Sequence, residues 1–330
     1  MIPDTKSFFD IRCAICNFIS IKQDEGHTKG FSISRRETVK ENINRILLEQ
    51  IDYILKHCDT EQKDVHKSIH EIRKSIKRIR AVLRLIREEI GYSSYYRENV
   101  FYRDMNRSIS DLRSYNVLLL TLKMLQSDLS NTIPAETFKP MIESILEQRD
   151  KIQSRLFSAD RIFHDISMNL LEAKKRIPML PIDHNSFEAF NRGMHRIYRQ
   201  GRNYLSVAEE NPDVHHLHDM RKRTKYLWYH IEILKPIYPV QLEAYAEALE
   251  IISEDLGVYH DLDLMSEYMR ENNTGLQERI LESLQEVCEI KKSVLLPGIL
   301  SQAGAAFSEE PGAFVDRMGV YWKIYHTQNS

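Results

Sequence analysis

The chain has 330 residues and a formal net charge of −2 at pH 7, because 46 Lys and Arg are nearly balanced by 48 Asp and Glu. This balance argues against a generally basic nucleic-acid binder, so an anion site would have to depend on local charge. Gly and Pro are scarce, at 11 and 10 residues, and no proline lies between Pro3 and Pro134, which favours long helices over a turn-rich β fold.

The first 34 residues are predicted to be an N-terminal arm and linker. They contain the Cys-x-x-Cys pair Cys13 and Cys16, but no second such pair or Cys-x-x-His occurs to complete a zinc site. We interpret the pair as two ordinary thiols, with a metal or redox role as the alternative. The segment lacks the parts of a secretory leader, and no apolar run in the chain reaches the roughly 18–20 residues that span a bilayer. We therefore expect a cytoplasmic protein without a membrane segment.

Eight main helices are predicted, which makes the fold class all-α. Apolar periodicity and breaks at Gly and Pro place them at about 37–57, 60–90, 94–127, 136–176, 184–209, 212–235, 240–271 and 274–296. The proline-containing segment 178–185 separates two halves, about 35–177 and 184–300, and the short connections suit a four-helix bundle in each half. We expect the helical pattern to break after Pro297. Residues 301–330 are then a C-terminal tail whose apolar end docks on a bundle or on another subunit.

The helix predicted at 60–90 has an apolar stripe and a basic stripe. The apolar stripe predicts the buried face and contains Val65, Ile69, Ile72, Ile76, Ile79, Leu83 and Ile86. The basic stripe follows one position later, about 100° around the helix, and contains His66, His70, Arg73, Lys77, Arg80, Arg84 and Arg87. Residues 66–87 include eight Lys or Arg but one acid, Glu71. Most of these cations therefore lack the carboxylate that normally balances a solvated helix face, which indicates an external anion. A solvated charged face is the alternative.

The same pattern occurs again 148 positions later in the chain. Residues 69–80 read IHEIRKSIKRIR and residues 217–228 read LHDMRKRTKYLW. Internal repetition at the same helical phase indicates one structural unit used twice. The equivalent pairs are His70 with His218, Glu71 with Asp219, Arg73 with Arg221, Lys74 with Lys222, and Lys77 with Lys225.

These repeated segments resemble the signature segments of the CHAD domain, the conserved-histidine α-helical domain. Three further stretches agree with that family in the expected order: RRETVKENINRILLEQIDYIL at 35–55, YRQGR at 198–202 and LGVYHDLD at 256–263. The resemblance covers about residues 35–300. It implies two pseudo-twofold-related four-helix bundles that form one compact helical domain with a central basic cleft. It also implies non-catalytic binding of inorganic polyphosphate in that cleft, and hence an association with polyphosphate granules.

The basic stripes and the family resemblance together predict the polyphosphate-binding residues. Cations spaced about 5 Å apart along a rigid helix suit a linear polyanion, and Arg can donate two hydrogen bonds to phosphate oxygens. We expect no catalytic residue, no metal ligand and no cofactor. One helix face carries Arg196, Arg199 and Arg202, and we expect these arginines to form a further wall of the site. The predicted binding residues are His66, His70, Arg73, Lys74, Lys77, Arg80, Arg84, Arg199, Arg202, His218, Arg221, Lys222 and Lys225.

Three alternative functions stay open. His66 with His70, or His215 with His218, has a spacing that could chelate the metal of a phosphohydrolase, although the neighbouring Lys and Arg disfavour a cation. A nucleic acid would make similar phosphate contacts, but the first signature helix lacks the Asn, Gln and aromatic residues that contact bases, so this partner is less favoured. The third alternative is a scaffold for an acidic protein helix. The sequence leaves the oligomeric state and the preferred polyphosphate length open.

Overall fold

The structure is a computed structural model that describes residues 30–59, 65–155 and 159–327. Nearly all of the predicted N-terminal arm, including Cys13 and Cys16, lies outside these residues. Within the described ranges the chain folds into α-helices without a β-strand, which confirms the all-α prediction. The eleven α-helices in these ranges are α1 (Val39–Cys58), α2 (Val65–Leu85), α3 (Gly91–Ser108), α4 (Ser110–Asp128), α5 (Lys139–Arg155), α6 (Ala159–Arg176), α7 (Glu188–Glu210), α8 (Val214–Leu234), α9 (Pro239–Glu271), α10 (Glu278–Ala306) and α11 (Pro311–Thr327).

The single helix predicted at 94–127 is wrong, because the chain breaks between α3 and α4. The break is at Ile109, whose φ of −116° and ψ of 11° are not helical. Ile109 is 1% exposed, and the carbonyl oxygen of Arg107 accepts a hydrogen bond from the Ser110 hydroxyl at 2.7 Å. Burial of Ile109 and this local hydrogen bond hold the break, which directs α4 away from α3.

The repeated helix α2 is shorter than predicted and ends at Leu85. A turn over residues 86–90 connects it to α3. The turn ends at Gly91, whose φ of 74° lies in the left-handed region that favours glycine. Arg87, the last member of the basic stripe, therefore lies in a turn beside the start of α3.

The predicted helix end near residue 296 is also wrong, because α10 continues through Pro297 to Ala306. Proline removes one backbone donor, but Ile299, Ala303 and Ala306 after it are buried, so packing of this face stabilises the last turns. The predicted tail contains α11, which packs on α7 through buried Phe314, Met318 and Trp322. Residues 311–327 therefore pack on helices of the same chain, in line with one of the two alternatives for the tail.

The buried apolar residues form two clusters. The first draws on α1, α2, α3, α6, α7, α8 and α11, together with the first part of α9 and the end of α10. The second combines α4 and α5 with the later part of α9 and the first part of α10. Each cluster therefore includes helices from both halves of the sequence, and α9 connects the two.

The repeated helices α2 and α8 contact each other inside the first cluster, and α7 packs against both. Nε2 of His230 on α8 lies 3.0 Å from the backbone oxygen of Ala81 on α2. At Gly193 on α7, a methyl group would collide with the backbone oxygen of Leu85. Only glycine permits this close approach, which brings the next turns of α7 beside the end of α2.

Candidate functional site

The helical phase predicted for α2 is confirmed by the burial of its two stripes. From Ile69 onward the residues of the apolar stripe are at most 3% exposed, whereas the basic side chains after His70 are half-buried. The side chain of His70 is 49% exposed, and that of His66 lies outside the described residues. The basic side chains thus border the core and remain accessible. The half-buried residues are Arg73, Lys74, Lys77, Arg80, Arg84 and Arg87.

The first part of the basic stripe also contacts neighbouring helices. Nη1 of Arg73 donates a hydrogen bond of 2.9 Å to the backbone oxygen of Asn106 near the end of α3, one of the carbonyl groups that a helix end leaves unsatisfied. Glu71 accepts a hydrogen bond from the Tyr53 hydroxyl at 3.0 Å. Burial favours the protonated acid, but Lys74, this hydrogen bond and His70 outweigh it and lower the pKa of Glu71. The acid of this helix is therefore ionised at neutral pH.

Farther along the stripe, arginine side chains lie close together. Burial lowers the pKa of Arg80, and the nearby charges of Arg84 and Arg103 act in the same direction. Nη1 of Arg84 donates to the backbone oxygen of Arg80 at 3.0 Å. The Arg84 guanidinium lies 4.2 Å from the ring centroid of Tyr226 on α8, a cation–π contact between the two repeated helices.

The histidine of the second signature packs against another histidine. The rings of His218 on α8 and His260 on α9 stack with their centroids 4.9 Å apart. Burial, Lys222, His260 and Arg221 lower the pKa of His218 to about 4. Burial and Arg221 also lower the pKa of His260. Both rings are therefore neutral at pH 7 in the structure as it stands.

Two further cations of α8, Arg221 and Lys225, are half-buried. Nε of Arg221 finds no hydrogen-bond acceptor among the described residues, and a methyl group at Gly257 would lie 3.2 Å from its Nη2. The ammonium of Lys225 lies 3.8 Å from the ring centroid of Trp228. Burial and Arg221 lower the pKa of Lys225 to about 7, although Glu250 acts in the opposite direction. Lys222 differs, because it is more exposed and lies 3.0 Å from the Asp219 carboxylate.

A cavity of about 170 Å³ lies where α2, α3, α7 and α8 meet, and we call it the arginine cavity. Nε of Arg223 donates to Oε1 of Gln200 at 3.0 Å, and the Arg87 guanidinium lies 4.8 Å from the ring centroid of Tyr95. Glu88 forms an ion pair with Arg196 and lies 3.8 Å from Arg87. The cavity is lined by Arg84, Arg87, Tyr95, Arg196, Ile197, Gln200 and Arg223.

Two residues predicted for the site lie elsewhere. Nη1 of Arg202 donates to the backbone oxygen of Glu309 at 3.0 Å and lies 2.7 Å from the Glu310 carboxylate. These contacts hold the segment between α10 and α11. Arg199 is exposed and lines a second cavity of about 320 Å³ between α7 and α11. The α7 arginine that lines the arginine cavity is Arg196, one helical turn before Arg199.

The described residues contain no group of three or more His, Cys, Asp or Glu placed to hold a metal ion. In the same part of the chain, no helix is long and apolar enough to cross a membrane.

The fold is an all-α arrangement in which two copies of one basic helix contact each other. A family model described as the CHAD domain matches residues 45–270, which is more than half of the chain, so the protein belongs to the CHAD domain family. The structure is similar to the crystal structure of the CHAD domain from the plant Ricinus communis, with a TM-score of 0.60 and 15% sequence identity. That match covers 85% of this chain and 95% of the other. A comparison with curated proteins finds no match.

Proposed function

We propose that this protein binds inorganic polyphosphate, without catalysis, in a basic cleft between α2 and α8. The observation that carries the proposal is the contact between the two repeated helices at Arg84 and Tyr226, which supports a shared site for the two basic rows. Membership of the CHAD family supports it, because polyphosphate binding is associated with that family. A cytoplasmic location, with recruitment to polyphosphate granules, belongs to the same proposal.

The electrostatics of the region favour a polyanion. Burial and neighbouring positive charges oppose the charged forms of Arg80, His218 and Lys225, and so lower their pKa values. A bound polyphosphate would remove part of that penalty, since a nearby opposite charge stabilises the charged form. Each charge-assisted hydrogen bond to a phosphate oxygen would add roughly 1.5–3 kcal/mol. Several such bonds along one polyphosphate chain together offset the conformational entropy that the flexible ligand loses on binding.

We propose binding without turnover because of how fixed cations act on phosphates. Guanidinium and ammonium groups that stabilise the bound substrate and the transition state equally do not lower the chemical barrier, and hydrolysis would also need a positioned general base or activated water. The rival is a metal-dependent phosphohydrolase. That rival predicts orthophosphate release in the presence of Mg²⁺ or Mn²⁺, above the release seen with heat-denatured protein.

The test is calorimetric titration with polyphosphate, pyrophosphate, ATP and RNA at one salt concentration. Replacing Arg80 and Arg84 together by Gln should weaken polyphosphate binding by about 100-fold or more, because at least two charge-assisted hydrogen bonds are lost. The matched control is Arg270→Gln, an exposed arginine at the end of α9, which should bind as the wild type does. Equal affinity of the double variant and the control would remove α2 from the site. Tighter binding of RNA than of polyphosphate would favour a nucleic-acid binder instead.

A further inference from the structure

The arginine cavity is small and partly enclosed. Its volume of about 170 Å³ is several times the roughly 30 Å³ that a water molecule occupies in the liquid. It therefore has room for a compact group of atoms and not for a long segment of a polymer. Tyr95 and Ile197 in its wall are 8% and 4% exposed. One turn from Ile197, the backbones of Gly193 and Leu85 touch, so no chain can pass between α7 and α2 there.

The cavity has more positive than negative charge. Glu88 is shared by Arg87 and Arg196, and the Asp219 carboxylate interacts electrostatically with Arg223, so two carboxylates act on four arginines of the wall. Burial, Arg87 and Arg199 lower the pKa of Arg196 to about 10, so the group stays charged at pH 7 while crowded by like charges.

The other two arginines of the cavity make their hydrogen bonds and ring contacts with neutral groups. Arg223 donates to the side-chain oxygen of Gln200, and its guanidinium lies 5.0 Å from the ring centroid of Tyr204. Arg84 donates to a backbone carbonyl and faces Tyr226. Since a guanidinium has five N–H groups, donors remain for a ligand.

Polyphosphate contains internal and terminal phosphoryl groups, which differ in charge and in the number of unbridged oxygen atoms. The arginine cavity can distinguish both properties. An internal phosphoryl group has two unbridged oxygens and one negative charge, and the chain continues on both sides of it. A terminal group has three unbridged oxygens, and by analogy with phosphate monoesters its second pKa is about 6, so it carries nearly two charges at pH 7. Several guanidinium groups around a partly enclosed cavity match the shape and the charge of the terminal group. Their N–H donors also suit its three unbridged oxygen atoms, which accept hydrogen bonds.

We infer that the arginine cavity binds the terminal phosphoryl group of polyphosphate, so that the protein recognises chain ends. This inference rests on the proposed function and deepens it. The α2 and α8 rows then contact the phosphates that follow the end. A short chain such as triphosphate offers the same terminal group and should compete for the cavity.

The test compares polyphosphate of one length with the same material capped at both ends through phosphoramidate links to a neutral amine. Capping should weaken binding about tenfold or more, which corresponds to the loss of one charge-assisted hydrogen bond. At protein concentrations that fill the tight end sites but not the internal sites, which bind about tenfold more weakly, long uncapped chains should hold two protein molecules each. Equal affinity for capped and uncapped chains, or a number of tight sites that grows with chain length, would overturn the inference and leave the proposed function standing. Binding of neither polymer would overturn both.

A variant locates the effect in the cavity. Arg223→Gln should abolish the preference for uncapped chains and the competition by triphosphate, while binding of capped chains stays at the wild-type level. Arg270→Gln is the charge-matched control and should keep the preference. Circular dichroism checks that both variants are folded. If Arg223→Gln does not fold, Arg87→Gln replaces it as the cavity variant. A preference that persists in a folded cavity variant would contradict the assignment.

Discussion

Polyphosphate binding should be accompanied by proton uptake at the stacked histidines. With a pKa of about 4, His218 is under about 1% protonated at pH 6.5 in the empty site. A bound polyanion raises that pKa, and a return to the ordinary value of about 6.5 would protonate about half of the rings. We therefore expect uptake of about 0.5 proton per complex at pH 6.5. Because the charged ring binds the anion better, affinity should rise as the pH falls from about 8 to about 6.

The assay is calorimetry at pH 6.5 in two buffers of different ionisation enthalpy, since the difference in heat gives the number of protons taken up. His218→Gln should reduce the uptake, whereas His215→Gln, an exposed histidine one turn earlier on α8, is the control. Zero uptake by the wild type would refute the reasoning and make the histidine pair a neutral packing contact.

Three further predictions concern salt, packing and acid stability. Affinity should fall about 100-fold between about 50 and 200 mM salt if about five phosphates are neutralised, and a salt-independent affinity would argue against a cationic site. Gly193→Ala should lower the melting temperature by roughly 2–10 °C through overpacking and should weaken polyphosphate binding. Gly304→Ala, where nothing lies near the added methyl group, should not lower the melting temperature and should leave binding unchanged, since Ala also favours the helix. Burial lowers the pKa of His230 to about 3, so unfolded chains bind more protons than folded chains below pH 6.5. Urea unfolding should show that this residue alone costs about 2–3 kcal/mol of stability between pH 7 and pH 4.5, in addition to the loss from His218. In His230→Gln the total loss should be smaller by about 2–3 kcal/mol, and an equal loss in variant and wild type would contradict the reasoning.

The helical class and the buried face of α2 could be predicted from the sequence because both depend on local periodicity. The apolar residues Ile69 to Ile86 repeat in steps of three and four, and each of them is buried. The helix ends were harder to predict. A proline usually ends a helix, but Pro297 does not, because the residues after it pack into the first core cluster.

The candidate site was only partly predictable, because it depends on contacts between distant helices. The sequence pattern selected the basic row that contains Arg84, but Arg223 and Gln200 become neighbours of that row only through the packing of α7 and α8 on α2. Arg202 has the right helical spacing, yet the acidic segment before α11 engages it. Gly193, where α7 meets α2, is a local sequence signal of this close approach, because a larger residue would collide with the backbone of Leu85.

The most direct test of binding without turnover is a ³¹P NMR titration of polyphosphate with the protein in the presence of Mg²⁺. The account predicts that the polyphosphate resonances broaden as protein is added, and that no orthophosphate resonance grows during prolonged incubation. Unchanged line widths at excess protein would contradict binding, and a growing orthophosphate signal would contradict a non-catalytic role.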